Sequence, residues 1–195
     1  MKVVLASKNK HKLVEISQIT EKFGFELVLQ SQLGIDMDVE ETGTTFEENS
    51  LIKAEAVMKA TGLPALADDS GIAVDALNGE PGVYSARYAG GPDDADNTRK
   101  VLENMKDVPK EERSAHFVSV IACVFPDGRE LVARGECPGT MLFEYRGNGG
   151  FGYDPLFLYE PMDKTFAEMN AEEKNAVSHR ARAMEKFAKL FTETY

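Results

Sequence analysis

The residues best suited to chemistry are two adjacent carboxylates, Asp68 and Asp69, inside an apolar part of the chain. Neighbouring side chains of a strand point to opposite faces, so both would face one cavity only if the backbone bends there. Burying an unpaired charge is costly, and buried carboxylates therefore need partners. Two interpretations follow. Either a strand ends in an acidic Asp-Ser-Gly turn, or a strand presents a metal-binding or general-base carboxylate at its carboxyl end.

The apolar segments of the chain predict a mixed β-sheet with helices. Residues 2–6 and 116–125 have the composition of buried strands. The turn Pro126-Asp127-Gly128 should bring the chain back through 130–136 as a hairpin. Since a hairpin is antiparallel, the sheet is predicted to be mixed and not purely parallel.

Two predicted helices begin with basic residues, although the helix dipole favours anions at that end. The first has Leu13, Ile16, Ile19 and Phe23 at helical spacing, and Ser7 or Asn9 can serve as its N-cap. Free N–H groups and nearby cations at a helix start form a phosphate site, whereas the alternative is a solvated basic turn. The residues concerned are Ser7, Lys8, Asn9, Lys10, His11 and Lys12 at the first start, and Ser178, His179 and Arg180 at the second.

A third helix is predicted over 46–61, because residues 44–48 contain overlapping capping-box patterns. Asn49 and Lys53 lie four residues apart on one face of it. Lys53 either extends its amine from a partly apolar face to solvent or points into a cleft. The acidic segment 36–41 before the helix is typical of a solvated loop.

A glycine-rich stretch, 147–152, matches the pattern G-x-G-x-x-G. A dinucleotide-binding site needs a helix directly after this pattern, but here the strand-like segment 156–159 follows, so we reject that interpretation. The loop could instead present Phe151 and Tyr153 beside Asp154, with an aromatic ring stacked on a base. The alternative is a long hairpin connection.

Composition narrows the class of protein. The 195 residues carry a formal net charge of −11, which argues against general binding of nucleic acid or anionic membranes. The three histidines are scattered, so any metal should be a hard cation such as Mg²⁺ held by carboxylates. No apolar run has membrane-spanning length and no secretory segment is evident, so a cytoplasmic protein is expected.

Six segments together resemble the inosine triphosphate pyrophosphatase family, which includes the bacterial dITP/XTP pyrophosphatases. The resemblance covers nearly the whole chain in the right order. In the first segment Lys8 stands where the family often has glycine. The segments are SKNKHK (7–12), FEENSLIKA (46–54), ADDSG (67–71), PGVYSARY (81–88), GFGYDP (150–155) and SHR (178–180).

The resemblance implies an elongated, two-lobed α/β fold, with a central mixed sheet flanked by helices and an active-site cleft between the lobes. It implies a single pyrophosphatase domain over residues 1–195, assembled as a homodimer. The implied reaction is Mg²⁺-dependent hydrolysis of ITP, dITP and XTP between the α- and β-phosphates. The products would be the nucleoside monophosphate and pyrophosphate, and the enzyme would remove non-standard purine nucleotides from the pool.

Site residues follow from the same resemblance. It implies that Glu40 and Asp69 hold the metal, and that Asp69 accepts a proton from the attacking water. Lys12 and Lys53 would offset charge on the pyrophosphate leaving group, and Arg180 would donate to a 6-keto purine. The implied substrate-binding residues are Ser7, Lys8, Asn9, Lys10, His11, Lys12, Lys53, Ser70, Phe151, Gly152, Tyr153, Asp154, Lys174, His179 and Arg180.

Two other functions stay open. The first is a related pyrophosphatase that acts on other modified or pyrimidine triphosphates. The second is a nucleotide-binding module without catalysis. Glu40 and Asp69 argue against the module, because carboxylates near phosphate weaken binding unless a metal lies between them.

Overall fold

The computed structural model describes residues 2–20 and 26–194, and the strands of these residues form one mixed sheet. The strands are β1 (Lys2–Leu5), β2 (Glu26–Leu29), β3 (Ala65–Val74), β4 (Ser114–Val124), β5 (Glu130–Met141), β6 (Phe157–Tyr159) and β7 (Lys164–Thr165). Their order in this part of the chain is β2-β1-β3-β4-β5-β6-β7. Strand β1 pairs in parallel with β2 and β3, whereas β6 pairs antiparallel with β5 and β7. The predicted mixed sheet is confirmed.

Five α-helices lie in the described residues. They are α1 (Lys10–Thr20), α2 (Phe46–Thr61), α3 (Asp94–Asn104), α4 (Ala171–Val177) and α5 (His179–Thr194). Helix α2 has the predicted bounds, because the Thr45 hydroxyl accepts from Glu48 N and Gly62 ends the helix in a left-handed conformation. Phe23, predicted to extend the apolar face of α1, lies outside the described residues. No helix of these ranges is long and apolar enough to cross a membrane.

The chain divides into two compact units. Unit 1 takes its residues from 1–69, 119–135 and 180–195, and unit 2 comprises 70–118 and 136–179. Strands β3, β4 and β5 therefore each contribute to both units. The elongated shape and the cleft expected from the family resemblance stay predictions.

Each unit has its own apolar core. In unit 1, α1 and α5 bury side chains together with β1, β3 and β4 in one cluster, and α2 supplies a second cluster. In unit 2 the centre is aromatic: the Phe117 and Phe166 rings stack at 5.4 Å, and Phe157 meets both edge-on. These cores hold the strands and helices that carry the polar side chains described below.

Strand β3 corrects one expectation about the acidic pair. The prediction that a strand ends near Asp68 and Asp69 was wrong, because β3 runs unbroken over ten residues through both of them. Only glycine fits at position 71, since a β-carbon there would overlap Gly82 O and Ser85 Oγ. The two carboxylates thus keep the alternation of a regular strand, and they have different partners. The predicted hairpin after β4 is confirmed, with Phe125 N donating to Arg129 O over 2.9 Å.

Candidate active site

Asp68 is enclosed by hydrogen-bond donors inside unit 1. Ser119 Oγ donates to its Oδ1 over 2.5 Å, and Lys12 Nζ and Arg180 Nη2 lie 3.0 Å and 3.3 Å from its Oδ2. Burial raises the pKa of Asp68, but the charges of Arg180 and Lys12 outweigh it, so the pKa lies well below the ordinary 3.8. Asp68 is therefore a structural anion whose oxygens are already bound.

Asp69 has the opposite environment. It is only 4% exposed, and its Oδ1 accepts from Lys53 Nζ over 3.0 Å. Its Oδ2 is buried and has no hydrogen-bond partner among the described residues. Burial raises the pKa of Asp69 above 3.8, although Lys53 and Lys12 counteract it. A carboxylate with one bound and one unsatisfied oxygen is suited to hold a cation or to accept a proton.

A second carboxylate, Glu41, shares the same lysine. Lys53 Nζ donates to Glu41 Oε1 over 2.8 Å and to Asp68 O over 2.9 Å, in addition to its bond to Asp69. Burial lowers the pKa of Lys53, but the charges of Asp69 and Glu41 prevail and the pKa is raised. We call Glu41, Lys53 and Asp69 the Asp69 group. Glu40 is exposed, and its role as a metal ligand stays a prediction.

The Asp69 group fits a Mg²⁺ ion. Mg²⁺ in phosphate chemistry is bound by one or two carboxylates together with substrate phosphates and water. The unsatisfied Asp69 Oδ2 is an oxygen ligand of this kind. Residues 2–20 and 26–194 contain no cluster of three or more histidine, cysteine or acidic side chains able to hold a metal.

The start of α1 is capped by its own sequence. Asn9 Oδ1 accepts from His11 N over 3.0 Å and from Lys12 N over 3.2 Å, so Asn9 is the N-cap. Ser7 Oγ accepts from Asn9 N over 3.2 Å. The two N–H groups bound by Asn9 would have to exchange partner before they could bind phosphate.

The cations around this helix start differ in their surroundings. Lys8 pairs with Asp36 at 2.7 Å and with Asp38 at 3.3 Å, all three being exposed. Lys10 and His11 are also exposed. The acidic segment before α2 therefore neutralises Lys8.

Arg180, at the start of α5, is paired with carboxylates of unit 1. Its guanidinium is 1% exposed and contacts Glu15 and Asp68. These anions account for a basic residue at a helix start without a bound ligand. The role of Arg180 as a donor to a purine stays a prediction.

In unit 2, Lys174 and Asp154 form a buried ion pair under the glycine-rich loop. Lys174 Nζ donates to Asp154 Oδ2 over 2.8 Å, and Phe151 N donates to the same oxygen over 3.0 Å. Lys174 Nζ also lies 5.0 Å from the centre of the Phe151 ring. A β-carbon at Gly150, where φ is +69°, would overlap the Asp154 carboxylate. We call Phe151, Asp154 and Lys174 the Lys174 group.

The rest of the glycine-rich loop is tied to neighbouring segments of unit 2. Gly152 N donates to Asp94 Oδ2 over 2.8 Å. Tyr153 is buried and its hydroxyl donates to Ser85 O over 2.7 Å, so its ring belongs to the core. Burial raises the pKa of the Tyr153 hydroxyl far above 10. Phe151, which is half-buried, is thus the aromatic side chain of the loop better placed to meet a base.

Two further predicted residues lie in unit 2. His179 is 4% exposed, and its ring stacks on Phe117 with centres 4.7 Å apart. Ser70 is half-buried and follows Asp69 directly in β3.

Sequence reasoning missed three partners of the predicted residues: Glu41, Ser119 and Glu15. Ser119 had a signal, since it is a lone hydroxyl in the apolar segment 116–125. Glu41 stood beside the chosen Glu40, but irregular backbone gives no periodicity from which to choose between them. Glu15 is one of several charged positions on α1, and nothing in the sequence pairs it with Arg180.

Comparisons with known proteins give matches over nearly the whole length of this chain. A model of the Ham1 family matches residues 3–190. A dITP/XTP pyrophosphatase of Symbiobacterium thermophilum is 53% identical over 186 residues, which cover 94% of this chain and 91% of that protein. One from Clostridium perfringens is 49% identical over 192 residues, 95% of this chain and 94% of the relative. The solved structure of the Staphylococcus aureus Ham1 protein superposes with a TM-score of 0.89 at 40% identity, covering 100% of both chains.

The family match, over residues 3–190, spans both the Asp69 group of unit 1 and the Lys174 group of unit 2. The solved structure shares the fold that positions them. The chain therefore belongs to the Ham1 family.

Proposed function

We propose that this protein hydrolyses the non-standard purine triphosphates ITP, dITP and XTP to the nucleoside monophosphate and pyrophosphate. The names of its 53% and 49% identical relatives, both dITP/XTP pyrophosphatases, support this substrate class. The observation that supports this chemistry is the environment of Asp69, a buried carboxylate that binds Lys53 through one oxygen and is unsatisfied on the other.

In this proposal the Asp69 group performs the phosphate chemistry. Asp69 and Glu41, the latter in place of the Glu40 implied by the family resemblance, would hold Mg²⁺, which would neutralise charge on the phosphates. Asp69 accepts the proton of the attacking water as general base. Lys53 keeps its charge between the two carboxylates and orients both of them.

We assign contacts with the base to Phe151 and Lys174, in addition to the Arg180 donor that the family resemblance implies. Phe151 offers an aromatic face, and stacking on such a face does not depend on which polar groups the base carries. Lys174 is a buried donor beside that ring. A donor meets the 6-keto group of hypoxanthine or xanthine favourably but opposes the 6-amino group of adenine. Leaving such groups unpaired discriminates by about 10⁴-fold.

A triphosphate panel tests the proposed function. Purified protein with Mg²⁺ is mixed with ITP, dITP, XTP, ATP, GTP and CTP, and products are separated by chromatography. We expect the first three to give monophosphate and pyrophosphate, with ATP turnover lower by about 10⁴-fold. Preferred turnover of a pyrimidine triphosphate would favour the related pyrophosphatase instead. Tight binding of ITP with no pyrophosphate release would indicate a binding module.

A matched pair of substitutions tests the two glutamates before α2. Since Glu41 is a proposed Mg²⁺ ligand beside Asp69, Glu41→Gln should raise the Mg²⁺ concentration for half-maximal activity by at least about tenfold, because the loss of a ligand should cost no less than the loss of an outer-shell partner. Glu40→Gln should leave it unchanged, because Glu40 is exposed. Magnesium titrations of initial rate measure both. The opposite result would restore Glu40 as the metal ligand.

Two further properties implied by the family resemblance accompany the proposal. They are assembly as a homodimer and a cytoplasmic location. Sedimentation of the purified protein measures the first, and fractionation of cells that produce it measures the second.

A further inference from the structure

Glu41 stands in a segment without regular secondary structure, 35–43, yet its carboxylate meets a lysine of α2. Helical or strand hydrogen bonds do not hold this segment in place. Its position must therefore come from other contacts. Lys8 and Gln30 bind its first half, at Asp36, Asp38 and Met37, and α2 binds the end that carries Glu41.

Three consecutive backbone N–H groups at the end of the segment are bound by α2 side chains. Gly43 N donates to Asn49 Oδ1 over 2.8 Å. Thr44 N and Thr45 N donate to Glu48 Oε2 over 2.6 Å and 3.2 Å. The Glu48 bonds belong to the capping box that starts the helix. The Asn49 bond lies outside that box and reaches furthest toward Glu41.

The packing at Gly43 leaves no room for adjustment. A β-carbon at this position would lie 2.6 Å from Glu48 Cβ and 2.7 Å from Asn49 Oδ1. The backbone two residues after Glu41 is thus pressed directly against the first turn of α2. Any displacement of Gly43 would move Glu41 relative to Lys53.

Helix stability does not explain the presence of Asn49. The side chain is completely buried, and its Nδ2 has no hydrogen-bond partner among the described residues. An unpaired buried amide destabilises a fold, and a leucine of similar size would avoid this cost. The feature that a leucine could not supply is the acceptor for Gly43 N, one helical turn before Lys53.

We propose that Asn49 is a positioning residue for the metal site. By holding Gly43 N it places the Glu41 carboxylate against Lys53, and so beside Asp69, which sets the affinity for Mg²⁺. This inference rests on the proposed function of the Asp69 group. It concerns a side chain that itself touches neither substrate nor metal.

Asn49→Leu tests the inference, because it keeps the number and branching of the side-chain heavy atoms and removes the acceptor. We expect the Mg²⁺ concentration for half-maximal pyrophosphate release to rise about 10- to 100-fold, while kcat and the KM for ITP at saturating Mg²⁺ stay close to wild type. Binding of Mn²⁺ to the free protein, followed by electron paramagnetic resonance, should weaken by the same factor. This second readout does not depend on turnover.

Ser50→Ala is the matched control. Ser50 is as buried as Asn49 on the same helix, but its hydroxyl donates to Ala67 O and Val120 O and makes no bond to the 35–43 segment. We expect it to lower the thermal midpoint without changing Mn²⁺ affinity. Equal weakening in both variants would overturn the inference, since general loosening of α2 would then explain the effect.

Gly43→Ala is the alternative test variant if Asn49→Leu does not fold, because it disturbs the same contact between Gly43 and Asn49 from the side of Gly43. Weaker Mn²⁺ binding supports the inference, and unchanged binding in a folded variant overturns it. A wild-type protein without Mg²⁺-dependent pyrophosphate release would refute the proposed function. A wild-type protein with that activity, and variants with unchanged metal affinity, would refute the role of Asn49 alone.

Discussion

Replacing Asp69 with asparagine should abolish pyrophosphate release and leave the fold intact. The substitution removes the proposed base, and loss of a general base costs about 10²- to 10⁴-fold in rate. The fold should survive because asparagine keeps the shape of the side chain and an oxygen that can accept from Lys53, which also stays paired with Glu41.

The measurement for Asp69→Asn combines three assays. Pyrophosphate release should be lost, the thermal unfolding midpoint should stay close to that of the wild type, and ITP should still bind in equilibrium dialysis. An active Asp69→Asn variant would remove Asp69 as the base. A variant that unfolds at a much lower temperature would show that the carboxylate serves the fold and not the reaction.

Asp68→Asn should have the opposite effect, a large loss of stability. Asp68 is fully buried and binds Lys12 and Arg180, and Arg180 is itself 1% exposed. Removing one partner of a buried ion pair leaves an uncompensated charge and costs about 3–5 kcal/mol. We expect the free energy of unfolding, measured in urea, to fall by this amount. Asp127→Asn is the control, since Asp127 pairs with Arg129 at the surface and should show no measurable change.

A comparison of the wild type with Asp68→Asn also gives a pH test with a defined sign. The pKa of Asp68 is lowered by folding, so its ionised form stabilises the protein above the ordinary value of 3.8. This contribution is lost as the pH falls below that value. The stability of the wild type should therefore decline steeply in this acid range, whereas Asp68→Asn should follow a flatter curve. Parallel curves would show that Asp68 contributes little to the folded state.

The elements nearest the site were predictable where a local rule applied. Helix α2 begins and ends as expected, because its capping box and its terminal glycine act within a few residues of each other. The hairpin after β4 likewise follows from a short turn sequence. Strand β3 was harder: two aspartates looked like a strand end, but the strand continues because partners from α1, β4 and α5 neutralise Asp68.

Which of two neighbouring carboxylates keeps an oxygen available for chemistry depended on the side chains that lie near each of them in space. Asp68 and Asp69 are alike in composition, yet one is saturated by Ser119, Lys12 and Arg180 while the other keeps an unsatisfied oxygen. Their partners stand from 16 to 112 residues away along the chain. No local pattern encodes such separations.

The sequence by itself determined the residue types of the site: carboxylates in an apolar strand, cations at two helix starts, and an aromatic residue in a glycine-rich loop. Local periodicity and capping are short-range effects, and they place such residues on strands, helices and loops. Only the tertiary structure decided that Glu41 shares Lys53 with Asp69, that Arg180 is occupied by Asp68 and Glu15, and that Lys174 lies under Phe151. The physical reason is that burial and charge pairing act through space, between segments that folding alone brings together.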